Sequence, residues 1–160
     1  MPERIIGGIV ENLSRAGSAG FAIGLHLTFT SPRYMFQSYP ATWSDLYARN
    51  GYLVNDPTVH WGLENHGWVR WADLAEYDQS GMFAEAAGHG LCYGVTSAIF
   101  ARGSRSIAGF SRADREFTDG EAADIHDRMG ELHDVTLHVH SLPPALHDLL
   151  RRLSIILTHH

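Results

Sequence analysis

The residues best suited to chemistry lie between positions 39 and 71, where aromatic side chains surround an Asp-Pro pair. This stretch contains every tryptophan of the chain and half of its six tyrosines. Indole and phenol rings bury a large apolar body, and each keeps one polar group that needs a hydrogen-bond partner. Such groups around one carboxylate, that of Asp56, are typical of a pocket that binds a small molecule by hydrogen bonds.

Asp56 supports two interpretations. In the first it only caps a helix, because Asp at the N-cap followed by Pro57 at the first helical position is a strong helix start. Aromatic residues are also more often part of a core than of a pocket. In the second, the carboxylate accepts a hydrogen bond from a ligand N–H, because an unpaired charge among aromatic rings would be costly. The residues alone leave both open.

Cysteine and histidine are the other reactive residues of the chain. Cys92 is its only cysteine, beside eleven histidines, and a thiolate with a histidine base could act as a hydrolase. A lone cysteine in a predicted strand is more often a small buried hydrophobic residue. His133, His138 and His140 lack zinc-ligand spacing, and the chain has no nucleophile elbow or phosphate loop. The sequence therefore predicts no enzyme, no metal site and no cofactor.

Composition sets the class of protein. A chain of 160 residues with 44% hydrophobic and 19% charged residues predicts one globular domain with a full core. The net charge of −6 argues against nucleic-acid binding by this chain alone. The chain has no run of eighteen apolar residues, so the sequence predicts no membrane span. The first residues do not have the pattern of a secretory signal. A single cysteine forms no internal disulfide, which favours a cytoplasmic protein.

Hydrophobic periodicity predicts helices that must position these residues. Two of the predicted helices cover residues 3–15 and residues 119–139, the latter after Thr118. Three more are predicted to begin at the N-cap residues Thr42, Asp56 and Ser80. Leu142-Pro143-Pro144 ends the last of them. Residues 145–156 predict one more short helix or a linker.

Four segments rich in β-prone residues predict strands, over 21–30, 34–39, 91–101 and 107–111. They form two hairpin-like pairs separated by helices, which predicts an antiparallel sheet in an α+β domain. Residues 68–71 are expected to be extended or irregular. Gly94, inside the third strand, marks a bulge or a close approach by another group. That group could be a ligand or a neighbouring helix.

The spacing of five positions resembles the autoinducer-binding domain of LuxR-type quorum-sensing regulators. The positions are Tyr39, Trp43, Tyr47, Asp56-Pro57 and Trp71. The segment from Gly90 to Thr96 is similar to that family's glycine block, and the likeness covers nearly the whole chain. The resemblance implies a three-layer α/β/α sandwich around a five-stranded antiparallel sheet. It also implies a pocket for an N-acyl-homoserine lactone or a related signal.

The resemblance further implies roles for single residues. Trp43 would donate to the lactone carbonyl, Asp56 would accept from the amide N–H, and Tyr39 would donate to the amide oxygen. The other ligand-binding residues that it implies are Tyr47, Thr58, Trp71 and Gly94. The acyl tail is expected along Leu25, Leu27, Phe36 and Ile99.

The resemblance also implies partners. Family members form homodimers, here expected through the long C-terminal helix, and contact DNA through a C-terminal helix-turn-helix domain. Residues 1–156 are assigned to the ligand-binding domain. Leu157-Thr158 resembles the opening of the second domain, so 157–160 are assigned to its start or to the linker. Ala98 departs from the family, which often has proline there. The alternative is a stand-alone interaction module that binds no lactone and heterodimerises with a full-length regulator.

Overall fold

Helices and strands alternate along residues 2–159, which a computed structural model describes; side chains are described for residues 4–158. The helices are α1 (Pro2–Ala16), α2 (Ala41–Arg49), α3 (Pro57–Glu64), α4 (Met82–Gly88), α5 (Asp119–Thr136) and α6 (Pro144–Arg152). The strands are β1 (Gly20–Thr28), β2 (Ser31–Gln37), β3 (Gly67–Arg70), β4 (Tyr93–Ala101), β5 (Ser104–Arg112) and β6 (Ile156–His159). Two 3₁₀ helices cover Tyr52–Asn55 and Trp71–Tyr77.

All strands join one antiparallel sheet in the order β3-β4-β5-β1-β2-β6. The two predicted hairpins, β1–β2 and β4–β5, are confirmed. The expectation of five strands is wrong, because the chain adds a sixth after α6. Ser154 has a positive φ of 58°, which reverses the chain, and Ile156 then pairs with Gln37 of β2. Leu157 and Thr158 lie in this strand, and His160 lies outside the described residues.

Helices cover both faces of the sheet, as the three-layer α+β prediction required. On one face α1, α5 and α6 enclose the main core, which is built around Phe21, Phe36, Phe110 and Phe117. On the other face α2, α4 and the 3₁₀ segments form a second, smaller cluster around Trp43 and Leu91. The ligand-site candidates belong to this second layer. No helix among the described residues is long and apolar enough to cross a membrane.

Two of the four predicted helix caps are wrong. α2 begins before Thr42, because the carbonyl of Pro40 already accepts the first backbone N–H groups of the helix. Ser80 does not cap α4; instead Asp78 accepts from the backbone N–H groups of Met82 and Phe83 at 3.0 and 2.9 Å. The other two are confirmed: Asp56 caps α3, and a capping box at Thr118 opens α5.

A buried polar network joins β1, β5 and α5 at the edge of the main core. His26 bonds the Ser104 hydroxyl through Nδ1 (2.7 Å) and the Thr136 hydroxyl through Nε2 (2.9 Å). His133 bonds the Ser106 hydroxyl (2.7 Å), and its ring centroid lies 4.6 Å from that of His26. Both histidines are buried, and none of these bonds is made to a carboxylate. A proton on the His26 ring would therefore be poorly compensated.

Acidification should destabilise the fold through His26. Burial, and then the charges of His133, Arg33 and His138, lower the His26 pKa from 6.5 to about 4. Because the unfolded chain binds this proton more readily, the stability is fully present above about pH 6.5. It is lost as the pH falls toward 4, by about 3 kcal/mol in total. Urea unfolding at a series of pH values measures this loss.

The matched variant is His26→Asn, because asparagine tolerates the positive φ of 56° at this position. Its unfolding free energy should depend less steeply on pH than that of the wild type. Burial also lowers the pKa of His126, but that residue is present in both proteins, so the difference between them reports His26. An equally steep loss in His26→Asn would contradict the assignment.

Candidate functional site

A cavity of about 350 Å³ lies between the sheet and its second helical layer. Six of the seven predicted ligand-binding residues line it: Tyr39, Trp43, Tyr47, Asp56, Thr58 and Trp71. Its floor consists of sheet residues, including Ala22, Gly24, Thr96, Ile107 and Gly109. Apolar side chains complete the wall, among them Leu27, Pro32, Met35, Leu53 and Val59. The cavity thus combines polar groups with a larger apolar surface, as small-molecule sites do.

Asp56 caps α3, as the first interpretation expected, and it also lines the cavity. Its Oδ1 accepts from the backbone N–H of Thr58 at 2.8 Å and from the Thr58 hydroxyl at 2.7 Å, which caps α3. Its Oδ2 accepts from the Tyr47 hydroxyl at 2.7 Å. The residue is only 5% exposed and still lines the cavity. Within the described part of the chain Oδ2 accepts from this one donor, so it can accept a second hydrogen bond from a ligand.

Two tyrosine hydroxyls stay protonated beside this carboxylate. Burial, and then the Asp56 charge, raise the pKa of both Tyr39 and Tyr47 far above the ordinary value of 10. Tyr47 already donates to Asp56. Among the described residues, the Tyr39 hydroxyl reaches only the carbonyl of Gly109, at a long 3.5 Å. Its hydroxyl is therefore a donor that a closer ligand acceptor could capture.

Trp43 is held by aromatic contacts. α2 brings its indole against Tyr47 and Tyr52, with ring centroids 6.0 and 5.9 Å apart, and against His89 at 5.7 Å. The side chain is 4% exposed. Within residues 2–159 no hydrogen bond is made by its indole N–H. The ring is thus fixed in the cavity wall while its donor remains open.

Trp71 is fixed by three neighbours. Its Nε1–H donates to the Thr96 hydroxyl at 3.0 Å, and its ring stacks on Phe83 with centroids 5.6 Å apart. An added Cβ at Gly94 would lie 1.9 Å from Trp71 Cδ2. Gly94 is not among the residues that line the cavity, so its ligand-binding role stays a prediction. The close approach expected at this glycine is made by the Trp71 ring.

Three of the four residues expected along the acyl tail lie elsewhere. Leu25, Phe36 and Ile99 belong to the main core on the opposite face of the sheet, and only Leu27 lines the cavity. The left-handed backbone at His26, with φ of 56°, breaks the alternation of β1. Leu25 and His26 consequently both face the α5 side, and Leu27 turns to the cavity.

Sequence reasoning missed several residues of the cavity wall. Ser44, Gln37, Met35, Thr96 and Gly109 line it without having been predicted. Strand alternation offered a signal for Thr96, because it lies two residues from Gly94 on the same face. Ser44 follows Trp43 directly, and no periodic pattern distinguishes it.

The other reactive residues form no comparable site. Cys92 is exposed, against the expectation of a buried residue. Its thiol donates to the Ala87 carbonyl at 3.7 Å. In the part of the chain that the structure describes, no three histidine, cysteine or acidic side chains gather as metal ligands would.

Comparison with known proteins identifies a family whose model matches most of the chain. A family model described as "Autoinducer binding domain" matches residues 2–142. The chain is also 29% identical over 100 residues to the transcriptional activator protein VanR of Vibrio anguillarum, a match that covers 61% of this chain and 42% of that protein. The chain therefore spans less than half the length of this relative.

Solved structures share the fold. The N-acylhomoserine lactone dependent LuxR-family transcription factor CepR2 of Burkholderia cenocepacia is 18% identical, with a TM-score of 0.58, over 87% of this chain and 95% of that one. SdiA in complex with octanoyl-rac-glycerol is 20% identical, with a TM-score of 0.64, over 89% of this chain and 64% of that one. Escherichia coli SdiA is 22% identical, with a TM-score of 0.59, over 92% and 61%. At these identities the likeness establishes the architecture.

Proposed function

The chain belongs to the family of autoinducer-binding domains, and on that premise we propose that it senses an N-acyl-homoserine lactone or a related signal in the cavity beneath α2. The observation that carries the proposal is the arrangement of open polar groups in the wall. Trp43 and Tyr39 present donors, and Asp56 presents an acceptor. The head group of an acyl-homoserine lactone offers the complement, which is two carbonyl oxygens and one N–H.

Each contact follows from the chemistry of the side chain. The Trp43 indole N–H donates to the lactone carbonyl, and the Tyr39 hydroxyl exchanges its long bond to Gly109 for the amide carbonyl. Asp56 accepts from the amide N–H through Oδ2, a charge-assisted bond that is stronger than a neutral one. Tyr47 and Thr58 keep this carboxylate in place, and Trp71 closes the wall.

The apolar remainder of the cavity fits an acyl tail. Leu27, Met35, Leu53 and Val59 line it, and the small floor residues leave room against the sheet. CepR2 depends on an N-acylhomoserine lactone and SdiA holds octanoyl-rac-glycerol. Both ligands join a polar head to an apolar chain, which supports the same class of ligand here.

Binding of the signal molecule would stabilise the folded domain. A buried ligand stabilises the folded state by RT ln(1 + [L]/Kd), about 2.7 kcal/mol at one hundred times Kd. We propose that this stabilisation favours a homodimer. DNA recognition is assigned to a helix-turn-helix domain of the regulator, since an acidic domain lacks the basic face that DNA requires.

The test is a thermal melt with acyl-homoserine lactones of four to fourteen acyl carbons. One chain length should raise the melting temperature by several degrees. Trp43→Phe keeps the aromatic packing but removes the indole N–H, so it should lose most of this shift, with affinity falling about tenfold. Trp68→Phe is the matched control, because Trp68 packs on the main core and should keep the shift.

Two results would contradict the proposal. One is a wild-type protein that no lactone stabilises and from which mass spectrometry extracts no small molecule. That result would favour the interaction module without a ligand. The other is an equal ligand-induced shift in Trp43→Phe and in the wild type, which would remove the indole from the site.

A further inference from the structure

The strand β6 lies at the edge of the sheet, and among the described residues it pairs with β2 alone. Its register places Thr158 opposite Met35 and Ile156 opposite Gln37. Residues directly opposite each other on paired strands point to the same face of the sheet. Met35 and Gln37 line the cavity. β6 therefore extends the cavity side of the sheet by one strand, and β2 connects it to the cavity.

Few buried side chains hold β6 in the sheet. Ile155, just before the strand, is buried in the main core, and Leu157 is half-buried against it. Ile156 is 59% exposed, and Thr158 is exposed as well. Segments with few buried apolar contacts open locally at a small free-energy cost, while the core stays folded. We therefore expect β6 to leave the sheet more readily than the other strands do.

The path of the chain into β6 depends on the backbone of one residue. Ser154 has a φ of 58°, a left-handed conformation that residues other than glycine seldom adopt. This turn lets the Ile155 N–H return to the carbonyl of Leu150 in α6, at 2.8 Å. The Ser154 side chain is exposed. Position 154 is thus the hinge at which a substitution can alter the docking of β6 without touching the cavity.

The strand that holds β6 is one that the proposed ligand would contact. A ligand packed against Met35 and Gln37 fixes the backbone of β2 in the conformation with which β6 pairs. We propose that β6 opens and closes on β2, and that a ligand in the cavity holds it closed. This inference rests on the function proposed above, and it adds a route by which that site is regulated. Residues 157–160 were expected to form the linker or the start of the DNA-binding domain, so closure restrains that segment.

The coupling must act in both directions. If the ligand favours the closed strand, closure raises the affinity for the ligand by the same factor. Ser154→Pro fixes φ at about −65° and should keep β6 open. Leu157→Ser should also open it, by removing its half-buried apolar contact. Ser154→Gly is the matched control, because glycine adopts a positive φ freely.

Calorimetric titration uses the acyl-homoserine lactone of the chain length that the melts select. Ser154→Pro and Leu157→Ser should each bind it about tenfold more weakly than the wild type, a usual size for coupling between two sites. Ser154→Gly should bind it as the wild type does. Hydrogen exchange without ligand checks the variants: residues 156–159 should exchange freely in the two open variants, while β1 stays protected.

Hydrogen exchange of the wild type gives a second readout. Lactone at about one hundred times Kd should slow exchange in β1 about a hundredfold, if those amides exchange only when the whole domain unfolds. β6 opens locally, so its amides should slow only by the coupling factor, about tenfold.

Three results would overturn the inference. Unchanged affinity in the open variants, or exchange in β6 that slows as much as in β1, would do so while the proposed function stands. If Ser154→Pro does not fold, Leu157→Ser decides the first of these points. If no lactone binds the wild type, the proposed function fails and the inference fails with it.

Discussion

Gly94→Ala should collapse the ligand site, although Gly94 does not line the cavity. The new Cβ would lie 1.9 Å from Trp71 Cδ2 and 2.2 Å from its Cε2 and Cε3. These atoms belong to a rigid fused ring, so the whole indole must move, and with it the bond to Thr96 and the stack on Phe83. Overpacking of this kind typically costs 1–3 kcal/mol, and we expect about 3 kcal/mol.

A loss of about 3 kcal/mol corresponds to a fall in melting temperature of roughly 6–12 °C for a chain of this size. The ligand-induced shift should disappear as well, because Trp71 forms part of the cavity wall. Gly88→Ala is the matched control, since an added Cβ there meets no atom within 4 Å. It should change both quantities little.

A double-mutant cycle tests whether the Trp71 ring causes the loss of stability in Gly94→Ala. In a Trp71→Ala background the obstructing ring is absent, so Gly94→Ala should then cost less than about 1 kcal/mol. An equal cost in both backgrounds would show that the strand itself, and not the indole, excludes a side chain at this position. Normal ligand binding by the Gly94→Ala single variant would contradict the role given to Trp71.

The parts of the site that the sequence predicted are those set by local chemistry. Asp56 before Pro57 specifies a helix start whatever surrounds it, and the structure places it there. Trp43 and Tyr47 are four residues apart, which puts both on the inner face of α2. The two hairpins likewise follow from short connections between β-prone segments. Each of these features depends on residues close in sequence.

The parts that sequence reasoning missed depend on the backbone at single residues or on distant neighbours. Positive φ values at His26 and Ser154 send Leu27 to the cavity and β6 to the sheet, and such values are uncommon for any residue other than glycine. The role of Gly94 depends on Trp71, which is 23 positions earlier in the numbering.

Asp56→Asn should weaken ligand binding far more than it weakens the fold. Asparagine is as good an N-cap as aspartate, so its Oδ1 can keep both bonds to Thr58. The amide N–H₂ then replaces Oδ2, and the Tyr47 hydroxyl must turn from donor to acceptor. The ligand N–H would meet a donor where it had met a carboxylate. Loss of this charge-assisted bond, about 1.5–3 kcal/mol, corresponds to roughly 10- to 100-fold weaker binding.

Asp78→Asn is the control for the helix cap, because Asp78 caps α4 through Met82 and Phe83 and lies outside the cavity wall. Both variants should lose at most about 1 kcal/mol of stability without ligand, and only Asp56→Asn should lose affinity. A ligand in which an ester oxygen replaces the amide N–H completes the argument. The wild type should bind this ester more weakly than the amide, whereas Asp56→Asn should bind the ester at least as tightly as the amide. If Asp56→Asn still prefers the amide as strongly as the wild type does, the carboxylate does not accept from the ligand and its function is confined to capping α3.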